Sequence, residues 1–449
     1  MNTHCRATGN LTRSALLAAC LPIALAFSHS VFAENGEDIF KRAPLYTVQI
    51  RTTVDMPFKE DTRSSSMGAG FVVDAERGWV MTNAHVAAHS PSQVRIRFQR
   101  GEYHEATKVY VDPYLDLAIL ELDASQRENL QVATLDCDGF PSIGHPVGAF
   151  GHPWNLVYTG TRGIISGVTS RMGTELLQTD APINGGNSGG PLISLESGKI
   201  VGLSTSSISK DEDQNTNFAV PMKYACRVLR LLQEDKDPSP PQLLAMFYED
   251  LDDEGTLRVA QTYLGDDTLT LEIGDTITGV VGVTDEIRNA GQLVNALRGR
   301  LDDLKLEITR AGASVTVEGR LQPASRVIEQ NGVYVAGILF GRMGLRDSPE
   351  LNLALPLMVH SIEWGTLGES LELEKWDMLV SVNGQPIEDL NNLYDRLEAA
   401  GNDGKTVHFV FKRWSGERDR VYDYVERSMA VEDLEFVGPA PLGHLASKD

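Results

Sequence analysis

Asn184-Gly185-Gly186-Asn187-Ser188-Gly189-Gly190-Pro191 sets one serine in a run of glycines. Glycine adopts backbone angles closed to other residues. A nucleophilic serine asks two things of its loop. Its oxygen must stand on a tight turn, and backbone N–H groups must converge where the oxyanion of a tetrahedral intermediate forms. Taken alone, the octapeptide reads more readily as an ordinary glycine-rich turn. The rest of the chain decides between the two.

The partners lie upstream. Gly68-Ala69-Gly70-Phe71-Val72-Val73 reads as a strand, and Gly78-Trp79-Val80-Met81-Thr82-Asn83-Ala84-His85-Val86 follows it. Asp112-Pro113-Tyr114-Leu115-Asp116-Leu117-Ala118-Ile119-Leu120 then places an aspartate directly before an apolar strand. Each residue has a plain structural reading: His85 as a packed histidine at a strand end, Asp116 as a loop-to-strand cap. Together they meet a chemical demand. Ser188 needs a base, His85 titrates near neutral pH, and Asp116 would hold the imidazole tautomer and stabilise the imidazolium. The order His85, Asp116, Ser188 is that of chymotrypsin-type double β-barrel proteases, and subtilisins and α/β-hydrolases order the three differently.

Thr82-Asn83-Ala84-His85-Val86, Asp116-Leu117-Ala118-Ile119-Leu120 and Thr179 to Leu192 around Ser188 resemble the HtrA/Deg family of serine proteases, as does Asn217-Phe218-Ala219-Val220-Pro221. The resemblance implies His85 as general base, Asp116 as its orienting acid and Ser188 as nucleophile. It implies an oxyanion hole from the backbone N–H groups of Gly186 and Ser188. Ile183 would help wall a small apolar S1 pocket, so cleavage after Val, Ala or Ile is expected. The chain departs from the family pattern at Pro182 and Gly186. The family assembles as trimers, so a homotrimer or a multiple of it is implied. The stretch from Val54 to Ser66, where relatives often carry a long regulatory loop, is short and polar.

A chain of 449 residues has room for two to four domains. Its formal net charge of −22 disfavours nucleic acid or an anionic membrane surface as the main partner. Arg6 and Arg13 precede an apolar run from Ala15 to Phe27, and Val31-Phe32-Ala33 has the form of a cleavage site, so export to the periplasm with cleavage after Ala33 is expected. The alternative is Leu17-Ala18-Ala19-Cys20, a lipobox-like stretch that would make Cys20 a lipidated terminus. After cleavage only Cys137 and Cys226 remain. The compartment permits a disulfide, but their separation and settings favour isolated thiols. With no Cys-x-x-Cys, no His-Glu-x-x-His and no phosphate-cradling glycine loop, no metal or cofactor is expected.

Residues 40–225 contain short β-branched runs punctuated by Gly, Asn, Asp and Pro, which suits an all-β fold. Met222 to Gln233 reads as a helix, and Glu234 to Pro241 as a stiff, exposed linker. Beyond it a strand–turn–helix–strand unit occurs twice, with helices at Ala290 to Arg298 and Leu390 to Ala400. Gly274-Asp275-Thr276-Ile277 and Trp376-Asp377-Met378-Leu379 in these units resemble PDZ domains as HtrA proteases carry them. The expected organisation is a signal peptide (1–33), a trypsin-like serine protease domain (34–233), a linker (234–241), a degenerate PDZ-like domain (242–325), a second PDZ domain (326–427) and a tail (428–449). The fold expected is mainly β: a chymotrypsin-like double β-barrel followed by two PDZ-like α+β domains.

PDZ domains bind chain ends by adding a strand to a sheet edge while backbone N–H groups hold the carboxylate. By family position the carboxylate loops would be Leu243 to Met246 and Val335 to Ile338; only the second keeps a glycine, so Gly337 and Ile338 are the assignment carried forward. The function expected is an exported, ATP-independent serine endopeptidase acting on unfolded or damaged envelope proteins. The alternatives are a regulatory protease that cuts one signalling partner after PDZ sensing of a C-terminal peptide, and a chaperone or binding protein with secondary proteolysis.

Overall fold

In the computed structural model, residues 47–221 form two closed barrels of six strands each. The structure describes residues 36–438 except 59–60, 100, 153–157, 171–173, 206–215, 251–254, 264–268, 325, 343–355 and 418–419. The expected signal peptide and Cys20 lie outside the described residues. Among those residues, no helix is long and apolar enough to cross a membrane.

The first barrel comprises β1 (Thr47–Val54), β2 (Ser64–Asp74), β3 (Trp79–Thr82), β4 (Gln93–Phe98), β5 (His104–Asp112) and β6 (Leu117–Leu122). They run in the order β1-β2-β3-β6-β5-β4. The second comprises β7 (Pro146–Gly151), β8 (Thr159–Thr169), β9 (Leu176–Thr179), β10 (Pro191–Ser194), β11 (Ile200–Thr205) and β12 (Asn217–Pro221). The two-residue period of a strand explains how both are packed. Val72, Val80 and Leu120 point into the first barrel. Their neighbours Phe71, Met81 and Ile119 point the other way, into a cluster shared with Ile193, Leu203 and Val220 of the second. These strands are apolar on both faces because both faces are buried. Ile39 of α1 (Gly36–Tyr46) and Val228 and Leu229 of α3 (Met222–Gln233) close that shared cluster.

Cys137, in the segment between the barrels, is disulfide-bonded to Cys226 on α3, with Cα atoms 5.8 Å apart. The expectation of isolated thiols is therefore corrected. The fold returns α3 to the interbarrel connection, a proximity with no local sequence signal.

The linker is corrected too. Glu234 to Lys236 are exposed, but Pro238, Ser239 and Pro241 are buried. The Ala324 N–H donates to Pro240 O at 2.8 Å, and Gln242 N–H to Gln322 O at 2.8 Å. Proline rings pack as readily as they extend, so this segment is docked.

Beyond it lies a five-stranded sheet of β13 (Ala245–Asp250), β14 (Thr256–Thr262), β15 (Thr276–Val280), β16 (Leu304–Arg310) and β17 (Ala313–Gly319), in that order. Leu293 and Leu297 of α4 (Ala290–Leu297) fill its apolar core. The Gln292 amide donates to the largely buried Glu175 of the second barrel at 2.8 Å, joining the sheet to the barrels.

The last sheet has eight strands: β18 (Gly332–Val335), β19 (Ile338–Arg342), β20 (Leu357–Ile362), β21 (Met378–Val382), β22 (Gln385–Pro386), β23 (Val407–Glu417), β24 (Arg420–Met429) and β25 (Glu435–Val437). Leu393 and Leu397 of α5 (Leu390–Asn402) pack into it against Phe340, Phe409 and Phe411. β25 pairs with β18 in the register Gly332↔Val437, so part of the expected tail is a strand of this sheet. Both sheets are consistent with PDZ-like domains.

Candidate active site

His85 lies on the single turn α2 (Ala84–Ala87), entered from β3. Its ring Nδ1 is 2.9 and 2.8 Å from the two carboxylate oxygens of Asp116, and its backbone N–H donates to Asp116 Oδ1 at 3.0 Å. A carboxylate accepts only, so Nδ1 carries the proton and Nε2 is left as the basic nitrogen. Asp116 is itself fixed. Its backbone has φ 52°, the Thr205 hydroxyl donates to Oδ2 at 3.0 Å, and the Asn83 amide donates to its carbonyl at 2.8 Å.

Burial works to lower the pKa of the His85 imidazolium, and the hydrogen bond and charge of Asp116 together outweigh it and hold it above its ordinary value. The ring keeps 41% of its side-chain exposure and so remains open to a substrate.

Ser188 reaches the same place from the second barrel. Its carbonyl accepts from Ala69 N–H of β2 at 2.8 Å. Next to it, a Cβ on Gly189 would fall 2.2 Å from Thr82 Oγ1 and 3.2 Å from Asn83 N, so the serine turn lies against the turn that presents His85. Gly189 N–H donates to Ser204 O at 2.8 Å, one residue from the Thr205 that holds Asp116. β2, the β3–α2 turn and the end of β11 thus draw the three residues together.

The serine loop leaves two donors over. Asn187 N–H donates to Asn184 O at 2.9 Å, and the Gly186 carbonyl accepts from His152 N–H at 3.1 Å. Among the described residues, the N–H groups of Gly186 and Ser188 have no acceptor although both residues are buried. Buried backbone donors are normally paired, and an unpaired pair at one turn is suited to a developing anion. Gly186 has φ 103°, an angle a side chain would resist. Pro182 is held in place as its carbonyl accepts from the Thr161 hydroxyl at 2.8 Å.

Ile183, expected at the S1 pocket, is 6% exposed and packs in the core of the second barrel with Ala181, Leu192 and Ala219. Gly337 and Ile338 are far from an open loop. Val335 pairs with Ile338, and Ala336 (φ 51°) and Gly337 (φ 93°) make a two-residue turn of the mirror-image type. The Ala336 N–H donates to Glu432 O at 2.7 Å, and the Ala336 and Gly337 carbonyls accept from Gly368 and Glu363 at 2.7 Å. A Cβ on Gly337 would overlap Thr366. The turn is closed by its own chain and offers no cradle for a terminal carboxylate, which corrects that assignment. Thr205 and Asn83, which steady Asp116, carry no sequence signal that singles them out: one ends an apolar strand and the other opens a helical turn.

Two six-stranded barrels with this constellation at their seam define a trypsin-like peptidase domain. Residues 68–203 match the family model of the trypsin-like peptidase domain. The serine endoprotease DegS of Escherichia coli K12 is 37% identical over 180 residues, 38% of this chain and 49% of DegS, so the match spans about half the length of that relative. The periplasmic serine endoprotease DegP of the same strain is 26% identical over 354 residues, covering 74% of this chain and 72% of DegP. Among solved structures, the HtrA-type protease AlgW with a tripeptide superposes with a TM-score of 0.53 at 26% identity, over 65% of this chain and 99% of AlgW. The chain thus carries a trypsin-like peptidase domain and is homologous to the HtrA-type serine endoproteases DegS and DegP.

Proposed function

We propose that this protein is an exported, periplasmic serine endopeptidase that degrades unfolded or damaged envelope proteins. One observation carries the reading: Asp116 orients His85 on the turn against which the Ser188 loop packs, and among the described residues that loop leaves the N–H groups of Gly186 and Ser188 unpaired. Ser188 Oγ attacks the scissile carbonyl as His85 Nε2 takes its proton. Gly186 and Ser188 N–H hold the oxyanion, and the imidazolium returns the proton to the leaving amine. Water then hydrolyses the acyl-enzyme by the same route. Unfolded chains suit the site because an extended segment must lie along the seam between barrels, which folded proteins seldom offer. A preference for small apolar side chains before the cut is what the family resemblance implies. The working assembly is a homotrimer or a multiple of it, as the family resemblance implies.

Regulated cleavage has an observation in its favour. β13 is an edge strand with Met246 and Tyr248 exposed, and it follows Leu243-Leu244. A C-terminal peptide adding to this edge is the sensing mode that the fold leaves open.

The test is casein degradation by wild type and Ser188→Ala beside an aggregation-suppression assay. Degradation lost with Ser188 supports the peptidase. Protection without degradation would instead support a chaperone, and one envelope partner cut while casein is spared would support a regulator.

A further inference from the structure

The stretch between β1 and β2 reads as polar, yet Met56 and Phe58 within it are drawn into the last sheet. Phe58 is 2% exposed and clusters with Leu339 of β19 and Val437 of β25. Its ring meets His360 of β20 edge-on, with centroids 5.1 Å apart. Gly332 and Gly341 face each other across the β18–β19 hairpin, and a Cβ on either would fall 3.1 Å from the Phe58 ring. The paired glycines therefore form a cradle the width of one aromatic ring. A second clasp lies beside it. Arg63, just before β2, pairs with Glu363, which also accepts from the Tyr334 hydroxyl of β18 at 2.6 Å.

The other side of this loop meets the segment that follows His85. Phe58 N–H donates to Ser90 Oγ at 2.8 Å, and Ser90 N–H to Asp61 Oδ2 at 2.6 Å. Lys108 Nζ donates to the carbonyls of Ala88 at 2.8 Å and Ser90 at 2.7 Å. Ala88 ends α2 at φ 65°, a conformation an alanine holds only when its surroundings impose it. An unbroken run of contacts therefore leads from the β18–β19 hairpin through Phe58 and Ser90 to the turn bearing His85.

The same hairpin decides what the last sheet can bind. A C-terminal peptide would add to the edge of the strand after Gly337. That strand, β19, is already paired with β18 on one side and β20 on the other.

We propose that Phe58 and the hairpin Gly332–Arg342 form a bracket within the chain, in which Phe58 is a positioning residue for His85 and β18 fills the edge a peptide ligand would take. The bracket rests on the reading of His85 as the general base. The last sheet then acts as a fixed support of the catalytic turn, and capture of chain ends falls to β13.

The test compares full-length wild type with Phe58→Ala and, as a milder variant, Phe58→Leu. Two quantities are read: amide exchange of residues 84–92 and 332–342, and the pH profile of Ser188 labelling by a fluorophosphonate. In Phe58→Ala both segments should exchange about tenfold faster or more. Labelling should slow by about tenfold, and its acid midpoint should move to lower pH as the Asp116 contact loosens. Phe58→Leu should recover most of each change. Faster exchange in 332–342 with 84–92 and labelling unchanged would overturn the bracket. Were wild type not labelled at all, the base assignment would fail, and exchange alone would decide, joint loosening for the bracket and separate loosening against it. A peptide with a free apolar C-terminus, added to wild type, should leave exchange of residues 338–342 unchanged; protection there would overturn the filled edge.

Discussion

Arg298 Nη1 lies 2.6 Å from Asp112 Oδ2, and neither side chain has any exposure to solvent. Arg298 follows α4, and Asp112 ends β5, so the pair joins the five-stranded sheet to the first barrel. Asp112 Oδ1 also accepts the N–H groups of Tyr114 and Leu115 at 3.0 Å, shaping the turn that delivers Asp116. Arg298 Nη1 donates further to Pro238 O at 2.6 Å, which explains why the linker is docked.

Removing one member of this pair strands a buried charge. Arg298→Ala should cost about 3–5 kcal/mol of stability. Arg298→Met combined with Asp112→Asn should cost much less, because no charge is then left unpaired and Asn retains the turn acceptor. Urea denaturation of the three chains checks the order.

The raised pKa of His85 fixes the acid side of the activity profile. Only the neutral imidazole accepts the Ser188 proton, so activity should fall as pH drops through a midpoint above the ordinary histidine value. The linked stability has the opposite sense. The fold favours the protonated ring, so this contribution is complete below the unfolded pKa and is lost as pH rises through the folded one. Asp116→Asn removes the raising influence and leaves burial, which lowers. Its residual activity should show an acid midpoint shifted to lower pH, measured with a chromogenic peptide.

Much of this site was legible in the sequence because its chemistry is local. His85, Asp116 and Ser188 each stand in a short strand–turn context whose residue types serve one role, and their order restricts the fold. α3 matched its expected span because its apolar spacing is also local. What escaped was set by distant pairing. Phe58 sits in a stretch that reads as polar and is buried only because two glycines nearly three hundred residues onward leave room for it. Gly337 matched a family position, but its neighbours Val335 and Ile338 pair with each other and close the turn. Thr205 matters only because β11 ends beside Asp116.

The disulfide joins residues separated by 89 positions, so it limits a long loop of the unfolded chain. Loop-closure entropy puts its contribution at up to about 4–5 kcal/mol. The Cys137→Ala, Cys226→Ala chain should unfold at lower urea than oxidised wild type, and dithiothreitol should bring wild type to nearly the same midpoint. Equal midpoints in oxidised and reduced wild type would remove this contribution.

Activation of Ser188 by His85 underlies the whole of the proposed chemistry. The most direct measurement is mass-spectrometric mapping of the full chain after treatment with a fluorophosphonate. One adduct is expected, on Ser188, with its rate of formation lowered by about a thousandfold or more in His85→Ala. An adduct on another residue, or equal labelling of Ser188 in His85→Ala, would contradict it.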